Sequence, residues 1–317
     1  KKKTSQMSCS SINQSNLSKT LWTSLLCDAA CVQCHWQYDD KIVQQAKRKH
    51  KTLIFLDPKS TINPFYAIPN GFNSFYGDQL LALINVCGEK NNNQSIEIAY
   101  GKALQAMFDC QHSTIYGEYD EEKTSSISRD DYPIQGGWRS HSLRFFLAKS
   151  KQTTKITGCA PSDDQMDGVA KVVALVVDAL VQPKQSESAF FENVINVISI
   201  TQIGSLAICC ALIAAFILLQ LHKHAPLSTL AQRKTFFDSK ILSALLNNKE
   251  TPCIKMIQAF DQLDVIRKYI ENALNSEHTL TAHKAFVAEQ GKGCGPFAIS
   301  NVIHAFLTFP QLDDAIE

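Results

Sequence analysis

Glycine and proline are scarce in this chain, at 13 and 10 among 317 residues. A collagen-like fibre or a low-complexity scaffold needs far more of both, so these classes are excluded. Charge of either sign is not in excess. With 31 basic and 30 acidic residues the formal net charge is +1, and no global field draws the protein to nucleic acid. Two local basic runs, Lys1 to Lys3 and Lys47-Arg48-Lys49-His50-Lys51, lack the interleaved aromatics of a base-stacking platform and read as solvated faces. The opening Lys-Lys-Lys-Thr-Ser-Gln has no apolar stretch behind it, so no secretory signal is read there. No period of roughly 20 to 50 residues recurs, which argues against a solenoid.

What is present is an ordinary globular composition, 45% hydrophobic, in a length that suits one large domain or two modest ones. Cysteine is abundant, and its count of 11 is odd. Several cysteines sit among apolar residues, as in Leu206-Ala-Ile-Cys209-Cys210-Ala-Leu212, where a reduced thiol behaves as a small hydrophobe. A reducing, cytoplasmic environment is expected.

Residues 1 to about 20 are polar and read as a loose lead-in. Thr52 to Leu56 reads as a short strand stopped by Asp57-Pro58, and Glu97 to Phe108 as a helix. Asp167 to Val181 has the length and apolar content of a buried helix. Gln182 to Ala189, with little apolar content, is the best linker candidate. It separates an accessory region, residues 1–185, from a C-terminal module, residues 190–317. Ile203 to Leu221 carries no charge over 19 positions, long enough to span a bilayer. A buried helix running into a buried strand at Ala215 to Leu221 is favoured over membrane association, because the histidine-bearing segment after it continues a strand-and-hairpin pattern.

Near the C-terminal end stands Gln290-Gly-Lys-Gly-Cys294-Gly-Pro-Phe-Ala-Ile-Ser300, with helical spacing beyond it at Ile299, Val302, Ile303 and Phe306. A cysteine at a helix N-terminus meets unpaired backbone N–H groups and the positive end of the helix dipole, which favour thiolate. Such a nucleophile needs a base. Upstream, the pattern reads as a strand, a second strand opening near His224, a polar corner at Gln232-Arg-Lys, and a strand ending at Asp238. Adjacent strands would set Asp238 beside His224 to orient the imidazole. His222 lies two residues away, and on a strand it would share a face with His224.

These residues resemble the ubiquitin-like-protein-specific (SUMO-protease-like, clan CE) cysteine proteases, including bacterial effector deubiquitinases. The matching pieces are Phe216-Ile-Leu-Leu, His224-Ala-Pro-Leu227, Phe236-Phe-Asp238-Ser239 and Gln290…Gly293-Cys294-Gly295, over about residues 210 to 305. Ala225 stands where the family has Trp, Gly293 where it has Asp, and Gln290 is four residues before Cys294 instead of about six. The resemblance implies an α+β protein with a papain-like catalytic module and a helix-rich N-terminal accessory region. It implies Cys294 as nucleophile, His224 as base, Asp238 as its orienter and Gln290 as oxyanion donor. The implied partners are ubiquitin or a ubiquitin-like modifier and host protein conjugates, with no cofactor, no metal and no nucleic acid. As an effector, such an enzyme would act in a host cytosol. A related bacterial acetyltransferase family with a similar His–acid–Cys order, and an inert binding module, are the alternatives.

Two rival constellations are present. Cys27, Cys31 and Cys34 have the C-x3-C-x2-C spacing of radical SAM clusters, and Cys31 to His35 reads as Cys-x-x-Cys-His, a c-type haem signature. With His35 the three cysteines also make a chemically possible zinc set, or one face of a helix whose thiols simply pack. The second rival is a protease-like order of His35, Asp57 and Cys110, in which Cys110 follows an apparent helix instead of opening one.

Overall fold

Apolar residues at helical spacing dominate most of the chain, and helices are what they form. A computed structural model describes residues 14–89, 94–110, 115–182, 185–224, 226–247, 251–290 and 295–309. Helices α1 (Gln14–Cys31) and α2 (Asp40–Lys49) precede strand β1 (Tyr66–Ala67). After it come α3 (Phe75–Glu89), α4 (Ile96–Phe108), α5 (Glu121–Ser125), strand β2 (Ile134–Gln135) and α6 (His141–Thr153). The remaining helices are α7 (Asp167–Val181), α8 (Glu187–Ile198), α9 (Ser205–His224), α10 (Leu230–Phe236), α11 (Ser243–Asn247) and α12 (Pro252–Ala259). The series closes with α13 (Leu263–Asn275), α14 (Leu280–Gln290) and α15 (Gly295–Thr308). Among the described residues the only sheet is β1 paired with β2, parallel, with Tyr66 opposite Ile134. The expected α+β class therefore holds in a loose sense, in a mostly helical protein.

The chain divides into two units. One comprises residues 18–161, the other residues 14–17 and 162–309 of those described. The division at 161/162 differs from the linker expected at residues 182–189. That stretch instead leads into α8, where Ser186 caps the helix by accepting from the Ala189 N–H.

In the C-terminal unit α9 is the central helix. It packs on α7, α8, α12 and α15, and buries residues on every side, from Ala207 to Leu219. A helix apolar all round belongs in a core or a bilayer, and α9 is the one helix among the described residues long and apolar enough to cross a membrane. Most of that surface is covered within its own unit.

The strands expected at Ala215–Leu221 and Thr235–Asp238 are helix: the first lies inside α9, the second spans α10 and a π-helical stretch, Phe237–Leu242. Two physical reasons account for the difference. Thr229-Leu-Ala-Gln232 forms a capping box, the Thr229 hydroxyl accepting from the Gln232 N–H while the Gln232 amide oxygen accepts from the Thr229 N–H. The polar corner is thus a helix start. Phe236 and Phe237 are both buried, which a strand's alternation would not allow against one core. Every element among described residues 190–309 is a helix, and no papain-like fold is shown among them.

The N-terminal unit is organised around α3 and α4, which pack through Leu80, Leu83, Tyr100, Leu104 and Phe108. Asp28 on α1 supplies the cap for α3. Its carboxylate accepts from the Ser74 N–H at 2.7 Å, the Ser74 hydroxyl at 2.6 Å, and the Gly77 N–H. Gly77 is required by that contact, because a Cβ there would overlap Asp28 Oδ2 and lie 2.8 Å from Asn73 Cβ.

Two glycines of α3 therefore respond oppositely to alanine. Gly77→Ala is expected to destabilise the protein by on the order of 2 kcal/mol, overpacking outweighing the gain in helix propensity. Gly88→Ala, with open space around its Cβ, is expected to stabilise by about 0.5–1 kcal/mol. Urea unfolding of both variants checks the pair.

Candidate functional site

Of the expected triad, His224 and Asp238 are among the described residues. His224 ends α9, exposed, with Phe236 6.2 Å from its ring. Burial lowers its pKa, and the cations of Lys240 and Lys223 lower it further. Asp238 lies exposed in the π-helical stretch, and among the described residues no hydrogen bond or ion pair joins it to His224. His222 is half-buried, its pKa lowered by burial. Gln290 closes α14, while Cys294 lies outside the described residues. The helix expected after the cysteine does begin at Gly295.

Both rival constellations lie in the N-terminal unit. Asp57 caps a 3-10 turn by accepting from the Lys59 N–H, and Cys110 follows the end of α4. Cys27 and Cys31 share α1, and Cys34 ends the turn beyond it. Burial and the neighbouring thiols Cys27 and Cys34 push the Cys31 pKa up to about 11. The Cys34 thiol donates to the Leu53 carbonyl. Among the described residues no three His, Cys, Asp or Glu side chains converge to hold a metal ion.

The perturbed titratable groups gather elsewhere in the N-terminal unit. His35 follows the turn after α1, and its Nδ1 lies 3.0 Å from the Tyr66 hydroxyl on β1. Burial lowers the His35 pKa, opposed by the Asp28 charge, so the neutral ring is favoured. Burial likewise raises Tyr66, and the Asp28 charge adds to the rise. Asn63 fixes the approach to β1: its amide donates to the Val32 carbonyl and its oxygen accepts from the Phe65 and Tyr66 N–H groups.

One turn into α3, Asp78 accepts from the Tyr116 hydroxyl at 2.6 Å. Burial pushes the Asp78 carboxyl up to about 7, against the lowering effect of that hydrogen bond and with the Asp28 charge adding to the rise. Gln79, beside it, is fully buried, with neither its amide oxygen nor its nitrogen bonded among the described residues. Tyr116 is held by its surroundings. Gly137 leaves room for its ring, which a Cβ there would overlap, and Arg139 donates to the carbonyls of Phe108, Tyr116 and Gly117.

A cavity of about 800 Å³ is lined by Ala67 and Ile68, by Ile115, and by Pro133, Gln135 and Gly136 along β2, with none of Asp78, Tyr116, His35 and Tyr66 among its lining residues. The aromatic cluster of Trp36, Phe65, Tyr132 and Trp138 packs in edge-to-face and tilted pairs, with ring centroids 5.1 to 6.0 Å apart. Trp36 takes φ +58°, a conformation that costs a non-glycine residue energy and is held here by its packing. The sequence reading missed Asp28, Tyr66, Asp78 and Tyr116. One local signal was present: Asp78-Gln79 interrupts an otherwise apolar run from Phe75 to Leu83 on a buried helix face.

The C-terminal unit holds two polar clusters of its own. Lys171 is fully buried, its pKa brought down by burial to about 8, and it donates to the Thr201 hydroxyl at 2.5 Å. Gln202 ties down the preceding loop by donating to the carbonyls of Asp163 and Gln165. The second cluster joins His283, His304 and His278. His304 Nε2 donates to the Glu277 carbonyl, leaving its Nδ1 to accept from His283 Nδ1 at 2.9 Å. Burial brings the His304 pKa down to about 4, with the charges of His283 and His278 acting in the same direction.

Neutral His304 is favoured in the folded state, so its contribution to stability is complete above the unfolded value near 6.5 and is lost as pH falls through about 4. Thermal unfolding between pH 7 and 4 is expected to show a falling melting temperature. His304→Gln flattens the decline; an equal decline in that variant counts against the assignment.

No family model matches the chain, and no solved structure matches it. Over 174 residues, 55% of this chain, it is 27% identical to Crystallin J1A of Tripedalia cystophora. The aligned part covers 49% of that protein, so the chain spans about half the length of the curated relative it matches. That relative lies outside the clan CE proteases. What the chain is similar to, over about half its length, is a crystallin.

Proposed function

We propose that this protein is a hydrolase whose acid–base groups are the Asp78–Tyr116 and His35–Tyr66 pairs of the N-terminal unit. The observation that carries this reading is the Asp78 carboxyl, brought to about 7 by burial and accepting from the Tyr116 hydroxyl at 2.6 Å. Buried groups with shifted proton affinities held against one another are where acid–base chemistry is usually found. The two tyrosines take opposite roles. Tyr116 gives its proton to the leaving group and is re-protonated by the Asp78 carboxyl. Tyr66 takes a proton from the attacking water as it passes its own to neutral His35. One proton is released and one consumed, so the cycle closes.

Turnover of p-nitrophenyl acetate, phosphate and glycosides by the full chain tests this. Hydrolysis of one class is expected, with a pH-rate limb near 7. Asp78→Asn and Tyr116→Phe are each expected to lower kcat by about 10²-fold or more, the first removing the limb. No turnover of any class, or full turnover in Asp78→Asn, removes the proposal.

A second reading is favoured by the start of α15 at Gly295, the residue after Cys294. It is the thiol protease of the clan CE type, cleaving at the C-terminus of ubiquitin or a ubiquitin-like modifier, with acetyl transfer as its variant. Neither His224 nor Asp238 supports it by position, so the base would be another group. Labelling by ubiquitin and SUMO C-terminal electrophiles, lost in Cys294→Ala, is the expected result of this reading. Absence of any adduct excludes the protease form.

A further inference from the structure

Three cations of α6 and the segment before it differ in what they do. Arg139 is committed to three backbone carbonyls, and Lys151 pairs with Asp109 at 2.8 Å while donating to the Tyr119 carbonyl. Arg144 has neither kind of partner among the described residues. Its guanidinium carbon lies 5.7 Å from the Trp138 ring centroid, and its Nε is buried with no hydrogen-bond acceptor there. Arg144 is half-buried, so it is the rest of the guanidinium, and not the enclosed Nε, that a ligand can reach.

The place where Arg144 sits supplies room for one. A cavity of about 320 Å³ between α5 and α6 is lined by Arg144 with Tyr119, Glu121, His141, Phe145 and Lys149 among its walls. Two fixed cations and a histidine face one carboxylate there, so the local balance favours an anion. A guanidinium presents paired N–H donors that match phosphate geometry, and a lysine ammonium adds a point charge. Tyr119 and the exposed Phe145 give flat apolar walls beside these charges.

We propose that this cavity is a binding site for a small ligand carrying a phosphate monoester on a flat ring, with Arg144 as the principal phosphate contact. The phosphate oxygens accept from the Arg144 guanidinium, Lys149 balances the second charge, and the ring lies against Tyr119 and Phe145. Glu121 opposes the anion and sets an upper limit on affinity. The site stands apart from Asp78 and does not depend on the chemistry proposed there.

Isothermal titration of the full chain with phenyl phosphate in low-salt buffer, with phenol and inorganic phosphate beside it, tests the assignment. Saturable one-to-one binding of phenyl phosphate is expected, with inorganic phosphate several-fold weaker and phenol not bound. Arg144→Met, which keeps the apolar stem, is expected to weaken binding by about tenfold or more. Glu121→Gln is expected to tighten it by roughly threefold. No binding of phenyl phosphate, or equal binding by folded Arg144→Met, overturns the proposal. Equal affinity for inorganic phosphate overturns the role of the ring. If Arg144→Met does not fold by circular dichroism, Glu121→Gln decides, and unchanged or weaker binding there overturns the site.

Discussion

The N-terminal unit depends on one buried carboxylate. Taking Asp28 out of water is expensive and raises its pKa, and the charge of His35 together with the Ser74 N–H, the Ser74 hydroxyl and the Gly77 N–H offsets only part of that cost. In satisfying Asp28, these groups fix where α3 starts and which way its first turn faces. Asp78 is the next residue, so the contact that caps the helix also aims the second carboxylate at Tyr116. The charge of Asp28 then reaches His35, Tyr66 and Asp78 and biases the proton affinity of each. Structure and electrostatics in this unit have the same source.

Burial, and not charge pairing, is the main cause of the shifted groups. At Asp78, Tyr66, His35, Lys171 and His304 desolvation is the leading influence, and nearby charges adjust it. Ion pairs between described side chains are few and mostly exposed, as at Arg267–Asp264 and Lys123–Asp120, where little stability is gained. The polar residues inside are held by backbone groups and hydroxyls. Burial therefore favours the neutral form at each of them.

Parts of this were legible in the sequence. The apolar spacing of Asp167–Val181 and Glu97–Phe108, and the helix beginning after Cys294, follow from periodicity and glycine placement. The 19 uncharged positions ending at Leu221 are a buried core element, though the strand read at their end is a continuation of α9. An apolar run carries no period, so length should have decided the matter, and a 20-residue helix outruns any ordinary strand. The Thr229–Gln232 box was present as a local signal and would have excluded the hairpin on which the His–Asp pairing rested. The Asp78–Tyr116 and His35–Tyr66 contacts were not legible, because 38 and 31 residues separate the partners and no local pattern links them.

The burial of α9 also has a consequence for how the chain is made. The helices that cover it lie on both sides in sequence, α7 and α8 before it, α12 and α15 after it. During synthesis its second face is covered in part by α12 and completely only when α15 emerges, about 84 residues later as counted from His224 to Thr308. At ordinary translation speeds that is roughly 4 to 17 seconds. Over this interval a segment of membrane-spanning length and hydropathy is partly uncovered on the ribosome. Late arrival of the last helix therefore makes the nascent chain, more than the finished protein, the form in need of a chaperone.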